Sequence, residues 1–350
     1  MKILIIQNKR IGDVLLASII PNSIKKYHPN AHVTFFCYDN AAPVLEQNPN
    51  IDRIIAVKEK ELKKIKNLVR YSKSLRKERF DIVIDPYVKF QSQVLSLMSG
   101  AKQRISYQKK TLPFAYTTQI PFLKNKVSEF GKAIDDRLNL VTAMDKNIVP
   151  EPYPQLFLSQ PEIEHGKKML EGLDDNKKTL MIGVLGSNAS KSLPLEYTVE
   201  IINFLVANYN LNILFNYIPS QQDIVDEILS KITPSNKVYP GIIGKDIREF
   251  IQIMYHCDLL IANEGGSVHI AKALKKATFT IFSPYIVKDF WATFENEPQN
   301  QSVHLKEVRP DLFENKSRKE IAARSEELYK ELTPELIIPK LKSFLKENNF

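Results

Sequence analysis

Short aliphatic runs that end in a polar turn and lead at once into a helical pattern recur along this chain, and that order leaves few folds open. Strand-like runs stand at 2–7, 32–37, 54–57, 81–85 and 104–107, with helical patterns at 11–27, 41–47, 59–77, 88–99 and 132–143. Pro21 is expected to kink or restart the first of these helices. Scattered prolines and aromatics make 108–127 a loop. Then Pro150-Glu151-Pro152-Tyr153-Pro154 interrupts the series, because three prolines in five residues continue neither element. The alternation restarts with helices at 160–172, 195–208, 220–229, 247–255 and 267–274, and strands at 180–185, 212–216, 237–239, 259–262 and 278–282. Repeated β-then-α order predicts an α/β protein with two Rossmann-like domains, each a parallel sheet covered by helices. The domains expected are 1–150 and 151–318. The stretch 319–350 reads as two amphipathic helices, separated near Thr333-Pro334, that cross back to the first domain.

Ligands of such sheets bind beyond the carboxyl ends of the strands, and one turn of that kind stands out. Ile261-Ala262-Asn263-Glu264-Gly265-Gly266-Ser267-Val268-His269 passes from a buried strand through a glycine-rich turn into a helix. Gly265 and Gly266 permit close approach of backbone to ligand, and the first N–H groups of the helix suit a phosphate. Glu264 stands where a carboxylate accepts sugar hydroxyls, and His269 lies one turn into the helix. A tight βα turn with a helix cap is the plainer account of the same residues.

Composition narrows the functions. No apolar run approaches the roughly 20 residues that span a bilayer, and Met1-Lys2-Ile3-Leu4-Ile5-Ile6 breaks at Gln7-Asn8-Lys9-Arg10, too early for a signal segment. Cys37 and Cys257 have no metal-ligand spacing and read as buried thiols. A cytoplasmic protein is expected. The formal net charge of +9 implies an anionic partner, and the excess lies in the first half, from Lys58 to Arg79 and again from Lys102 to Lys132. No base-stacking platform or DNA-binding motif accompanies it, so nucleic acid is not an expected partner. An anionic membrane surface or a phosphorylated acceptor fits, as does a solvated helix face. Asn8-Lys9-Arg10-Ile11-Gly12-Asp13 replaces the G-x-G-x-x-G turn of a nicotinamide enzyme, and no Walker lysine loop, H-E-x-x-H helix or G-x-S-x-G elbow is present.

Five segments in register carry a resemblance. They are Gly12-Asp13-Val14-Leu15, the stretch 42–57 with Asn48-Pro49 and Asp52, Asp136-Arg137-Leu138, Ser190-Lys191-Ser192-Leu193-Pro194, and 263–269. In that order, over nearly the whole chain, they resemble the ADP-heptose:lipopolysaccharide heptosyltransferases, glycosyltransferase family 9. The resemblance implies a GT-B fold, two Rossmann-like domains with parallel sheets facing across a cleft. It also implies an inverting, metal-independent transfer from a nucleotide-sugar donor, with no further cofactor, to an anionic glycolipid acceptor. Peripheral contact with the inner membrane follows from that acceptor.

By the same resemblance Asp13 is the base that takes the proton of the attacking hydroxyl, a helix N-cap being its ordinary role. Lys191 is the cation for the leaving diphosphate, with an exposed loop lysine as the alternative. Gly186, Ser187, Asn188, Gln222, Asp223, Glu264, Gly265, Gly266, Ser267 and His269 fall on the donor side. Lys63, Lys64, Lys66 and Arg137 are the expected acceptor-side cations. Trp291 is a candidate neighbour of the donor or a core plug. The chain departs from the family pattern at Glu264, where aspartate is usual, and at Leu193, where tryptophan is usual. Tyr217-Ile218-Pro219-Ser220 replaces a glycine-rich turn. These departures motivate the second reading, a non-catalytic nucleotide-sugar or glycan-binding relative.

Overall fold

The first strand, β1 (Lys2–Ile6), has Ile3, Leu4, Ile5 and Ile6 wholly buried, as a strand covered on both faces requires. In the computed structural model, which describes residues 1–350, the chain forms two units, Met1–Phe157 and Leu158–Phe350. In the first unit β1 is joined by β2 (His32–Tyr38), β3 (Arg53–Val57), β4 (Ile82–Asp85), β5 (Gln103–Tyr107) and β6 (Thr118–Ile120), all parallel, in the order β3-β2-β1-β4-β5-β6. The second unit contains β7 (Lys178–Gly183), β8 (Leu211–Asn216), β9 (Val238–Tyr239), β10 (Leu259–Asn263), β11 (Ala277–Phe282) and β12 (Asn300–His304). Its parallel order is β12-β11-β10-β7-β8-β9. Each sheet thus winds outward in both directions from a pair of central strands, β1 and β4 in one and β7 and β10 in the other. The crevice between such a pair is where ligands of open α/β sheets bind.

The predicted elements appear with small shifts, and the differences have local causes. The first helix breaks at Ser18 into Ile11–Ala17 and Ile19–Tyr27. Pro21, which has no N–H to return to Ala17, interrupts the ladder one turn upstream of itself. The basic segment 59–77 is two helices, Glu59–Leu62 and Ile65–Glu78. Within 108–127 the chain forms a short turn of helix at Pro113–Ala115 and the edge strand β6. Cys37 and Cys257 are buried free thiols, each pushed up to about 12 by burial. The C-terminal helices, expected to return to the first domain, place Leu328, Tyr329, Ile337, Leu341, Phe344 and Leu345 in the apolar core of the second unit.

That unit opens with a close helix pair. Helix Gln160–Met169 lies on Ile247–His256 so tightly that a Cβ at Gly166 would stand 2.5 Å from the Gln252 carbonyl oxygen. The pair is fastened by Glu162, which accepts from Arg248 Nε at 2.5 Å and Nη2 at 2.9 Å and from the Ser159 amide at 2.8 Å. The Arg248 guanidinium, and then the Ser159 N–H and hydroxyl, hold the Glu162 carboxyl down at about 2. Because the folded value is depressed, this contribution is complete above the unfolded value of roughly 4.3 and is lost as pH falls toward the folded one. Glu162→Gln is therefore expected to destabilise the protein by about 1 kcal/mol at pH 7, allowing for solvent screening. In urea unfolding from pH 7 to pH 3 the gap between variant and wild type should narrow.

Candidate functional site

In the first unit β1 ends at Ile6, and the loop 7–10 leads into helix Ile11–Ala17 with Asp13 in its first turn. Arg10 occupies the cap position, and Asp13 makes no capping bond. Its carboxylate is held instead by Arg137: Nη2 donates to Asp13 Oδ1 at 3.2 Å and to the Asp13 carbonyl at 3.4 Å, while Nη1 donates to the Ala133 carbonyl at 2.6 Å. Arg137 is only 6% exposed. The residue expected on the acceptor side is thus a buried brace that fixes the Asp13 side chain.

Its neighbours on helix Lys132–Met144 are equally committed. Asp136 accepts from the Leu123 amide at 2.9 Å and from Lys132 Nζ at 2.7 Å, and Asp135 accepts from the Val127 and Ser128 amides. Lys63, Lys64 and Lys66 are exposed at the junction of helices Glu59–Leu62 and Ile65–Glu78, Lys63 pairing with Glu59 at 2.7 Å.

In the second unit the loops after β7 and β10 meet. Lys191 Nζ lies 3.1 Å from Glu264 Oε1, with the two side chains 15% and 9% exposed. The other Glu264 oxygen accepts from the Ser283 amide at 2.9 Å. Burial pushes the Glu264 carboxyl up, and the Lys191 charge and the Ser283 N–H oppose that rise. The Tyr285 ring lies beside the same ammonium, 5.9 Å from it to the ring centre. Glu264, expected to meet sugar hydroxyls, is therefore the counter-ion of Lys191 in this structure. Helix Gly266–Ala273 starts immediately afterwards, and the N–H groups of its first turn have no acceptor within the helix. His269 is buried on that helix, its ring 6.2 Å from Trp291. Ser187 and Asn188 are exposed beside Lys191. Gly186 is a requirement of space, because a Cβ there would stand 2.0 Å from the Lys191 carbonyl oxygen.

No local pattern of residues marks what clamps the Lys191 loop. The Ser190 carbonyl accepts from Ser283 Oγ at 2.6 Å and from Ser325 Oγ at 3.1 Å. Asn263 Oδ1 accepts both the Leu193 amide at 3.3 Å and the Tyr329 hydroxyl at 2.8 Å. Ser325 and Tyr329 belong to the short helix Ser325–Lys330, which precedes the last helix of the chain. Leu193 is a core residue at 4% exposure. Gln222 is engaged by Tyr217 and Asp226, leaving Asp223 exposed in the first turn of helix Gln222–Lys231.

Comparisons with known proteins bear on the family and the fold. The family model described as glycosyltransferase family 9 (heptosyltransferase) matches residues 68–309. The chain is 25% identical over 270 residues to the lipopolysaccharide core heptosyltransferase OpsX of Haemophilus influenzae, covering 76% of this chain and 74% of that one. The fold matches E. coli ADP-heptose lps heptosyltransferase II at a TM-score of 0.73, with 16% identity and all of both chains covered. It also matches E. coli heptosyltransferase WaaC with ADP at 0.66, again at 16% identity, over 100% of this chain and 98% of that one.

The Lys191–Glu264 pair has a measurable consequence. Lys191→Ala leaves a buried carboxylate without its cation and is expected to cost roughly 3 kcal/mol at pH 8, the low end for a pair that keeps some water contact. The folded carboxyl of that variant lies above its unfolded value, so the penalty should shrink as pH is lowered toward 5. In Lys191→Ala/Glu264→Gln it should largely vanish, as read by urea unfolding at both pH values.

Proposed function

The chain belongs to glycosyltransferase family 9, the heptosyltransferases of lipopolysaccharide core synthesis, and from that premise we propose the donor, the stereochemistry and the residues that carry the reaction. The donor is a nucleoside diphosphate sugar, ADP-heptose or a close relative, and the acceptor is an anionic lipopolysaccharide core saccharide. Transfer proceeds with inversion and without a metal ion. The observation that carries this reading is the Lys191 ammonium at the central crevice of the second sheet, beside the start of helix Gly266–Ala273.

Asp13 takes the proton of the acceptor hydroxyl as its oxygen forms the new bond to the anomeric carbon. The bond from that carbon to the diphosphate oxygen breaks, and its electron pair leaves with the phosphate. Lys191 and the N–H groups of 265–267 then stabilise the negative charge that accumulates there. Lys191 is released to the diphosphate as Glu264 turns to the sugar or takes a proton. Asp223 is the carboxylate available to the donor ribose. Support for ADP comes from the match to a heptosyltransferase solved with that nucleotide. Action at the cytoplasmic face of the inner membrane accords with the basic first unit and with the absence of any helix long and apolar enough to cross a membrane.

The departures behind a non-catalytic reading have structural explanations. Leu193 fills core space, and Glu264 reaches Lys191 with its extra methylene. The test is calorimetric titration with ADP, UDP and GDP, together with transfer assays. ADP should bind preferentially, and Lys191→Ala should weaken it about tenfold or more. Asp13→Asn should retain ADP affinity while losing transfer by roughly 10²–10⁴-fold. Preference for UDP or GDP would sink the ADP-heptose donor, and undiminished transfer by Asp13→Asn would remove the base.

A further inference from the structure

Helix Gly266–Ala273 carries His269 and Lys272 three residues apart, which makes them neighbours on one face. Helical side chains lean toward the N-terminus, so the His269 ring lies over the first turn, on the side of the N–H groups of 265–267. It is 8% exposed.

Lys272 reaches from this face to the segment that joins β11 to β12. Its stem is partly exposed, but its ammonium turns inward and donates to the carbonyl of Thr293, a wholly buried residue, at 2.6 Å. Burial lowers that ammonium to about 8, against the pull of Glu295 and Glu297, and Lys288 adds to the lowering. The partner is a carbonyl rather than a carboxylate. A charged donor committed to a backbone oxygen fixes the course of the chain, whereas a bond to a carboxylate fixes only a side chain.

Elsewhere the segment is tied to β12 and the residues after it. Lys288 Nζ lies 2.5 Å from Glu307 Oε1 and 3.3 Å from Glu295 Oε2, and Glu295 accepts from the Ser302 hydroxyl at 2.8 Å. Phe294, buried and adjacent to Thr293, adopts a left-handed conformation at φ 58°. That conformation is unfavourable for a bulky residue and persists where surrounding contacts impose it. The Lys272 bond falls one residue before the strained position.

Trp291, the single tryptophan of the chain, stands two residues before Thr293, and the Thr293 amide donates to its carbonyl at 2.9 Å. Its ring lies 6.2 Å from the His269 ring and 4.8 Å from that of Phe290. The contacts thus run from Lys272 through Thr293 and Trp291 back to His269, one turn from where they began.

We propose that Lys272 is a positioning residue for donor binding: it fixes residues 291–293, and the Trp291 ring so placed holds His269 over the first turn of its helix, facing the anion bound there. This rests on the reading of that turn as the diphosphate site. It gives Trp291 a task in the site beyond filling space.

Tryptophan emission reports on residue 291 alone. Wild type, Lys272→Met, Trp291→Leu and the double variant would be titrated with ADP by calorimetry, and the two proteins that keep Trp291 also by emission. Lys272→Met retains the length of the side chain and removes its charge. Free Lys272→Met should emit to the red of wild type. Each single variant should raise the dissociation constant for ADP about tenfold, with no further rise in the double variant, because both act through one contact. A merely structural lysine would lower the unfolding midpoint and leave emission and ADP affinity as in wild type, and that result overturns the proposal. So does a double variant whose loss is the product of the two single losses. Should Lys272→Met fail to fold, Trp291→Leu decides: a tenfold loss supports the proposal and undiminished affinity overturns it. Wild type that binds none of ADP, UDP and GDP fells the donor reading and this one with it. Intact ADP binding in both single variants fells the positioning role alone.

Discussion

A parallel sheet delivers the carboxyl end of every strand to one edge, and in each unit that edge collects the polar chemistry. The centre of either sheet is largely apolar on both faces, so charged and amide side chains gather mainly at the strand ends and in the loops that leave them. The winding order opens a crevice between the loops of the two central strands. Asp13 and Asn8 follow β1, and Lys89 follows β4. Lys191 follows β7, and Glu264 follows β10. The same topology thus produces two polar crevices of different make-up, one with a carboxylate braced by an arginine and the other with a lysine–carboxylate pair beside a helix start.

Placing charge at a partly buried edge requires compensation, and the structure compensates each group differently. Asp13 has a guanidinium whose other donor is fixed on the Ala133 carbonyl, so the carboxylate is held without being covered. Asp85 is covered completely, and two backbone N–H groups and the Tyr116 hydroxyl satisfy it. It shapes the loop 85–89, where Val88 adopts a left-handed conformation at φ 51°, unfavourable for a β-branched residue and maintained by the bond from its own amide to Asp85. Lys191 and Glu264 compensate one another, an exchangeable arrangement. Burial already draws the Glu264 carboxylate toward protonation, against the opposing pull of the lysine. The fixed pair suits a group that must keep its orientation, and the exchangeable pair suits one that must change partners.

How much of this was legible in the sequence depends on the range of the interaction. The strands at the sheet centres were readable because four consecutive aliphatics such as Ile3–Ile6 have no other stable use. The edge strands β6 and β12 were not, since Thr118–Ile120 and Asn300–His304 are short and polar and are strands through hydrogen bonds to a single neighbour. Asp13, Lys191 and Glu264 stand out in the sequence because motif and strand end coincide. The bond of Arg137 to Asp13 was not legible, because the two lie 124 residues apart and a lone arginine in a basic region reads as an acceptor cation. Ser325 and Tyr329 carry no local signal at all.

Helix Ser325–Lys330 connects the last of these points to the chemistry. Tyr329 is buried at 1% exposure, and its hydroxyl reaches Asn263 Oδ1, which also takes the Leu193 amide. One carboxamide oxygen therefore joins the end of β10, the Lys191 loop and this helix. Ser325 repeats the connection one turn earlier through the Ser190 carbonyl. Within the Lys191 loop the order is local, a single helical turn at Ala189–Lys191 and the bonds of the Ser192 hydroxyl with the Gly186 amide and the Asn188 carbonyl. Rigid placement of the Lys191 ammonium requires support from packed elements, and here the support comes from helix Ser325–Lys330, whose Leu328 and Tyr329 are anchored in the apolar core. The C-terminal segment thereby determines the geometry of a site to which it supplies no charged group.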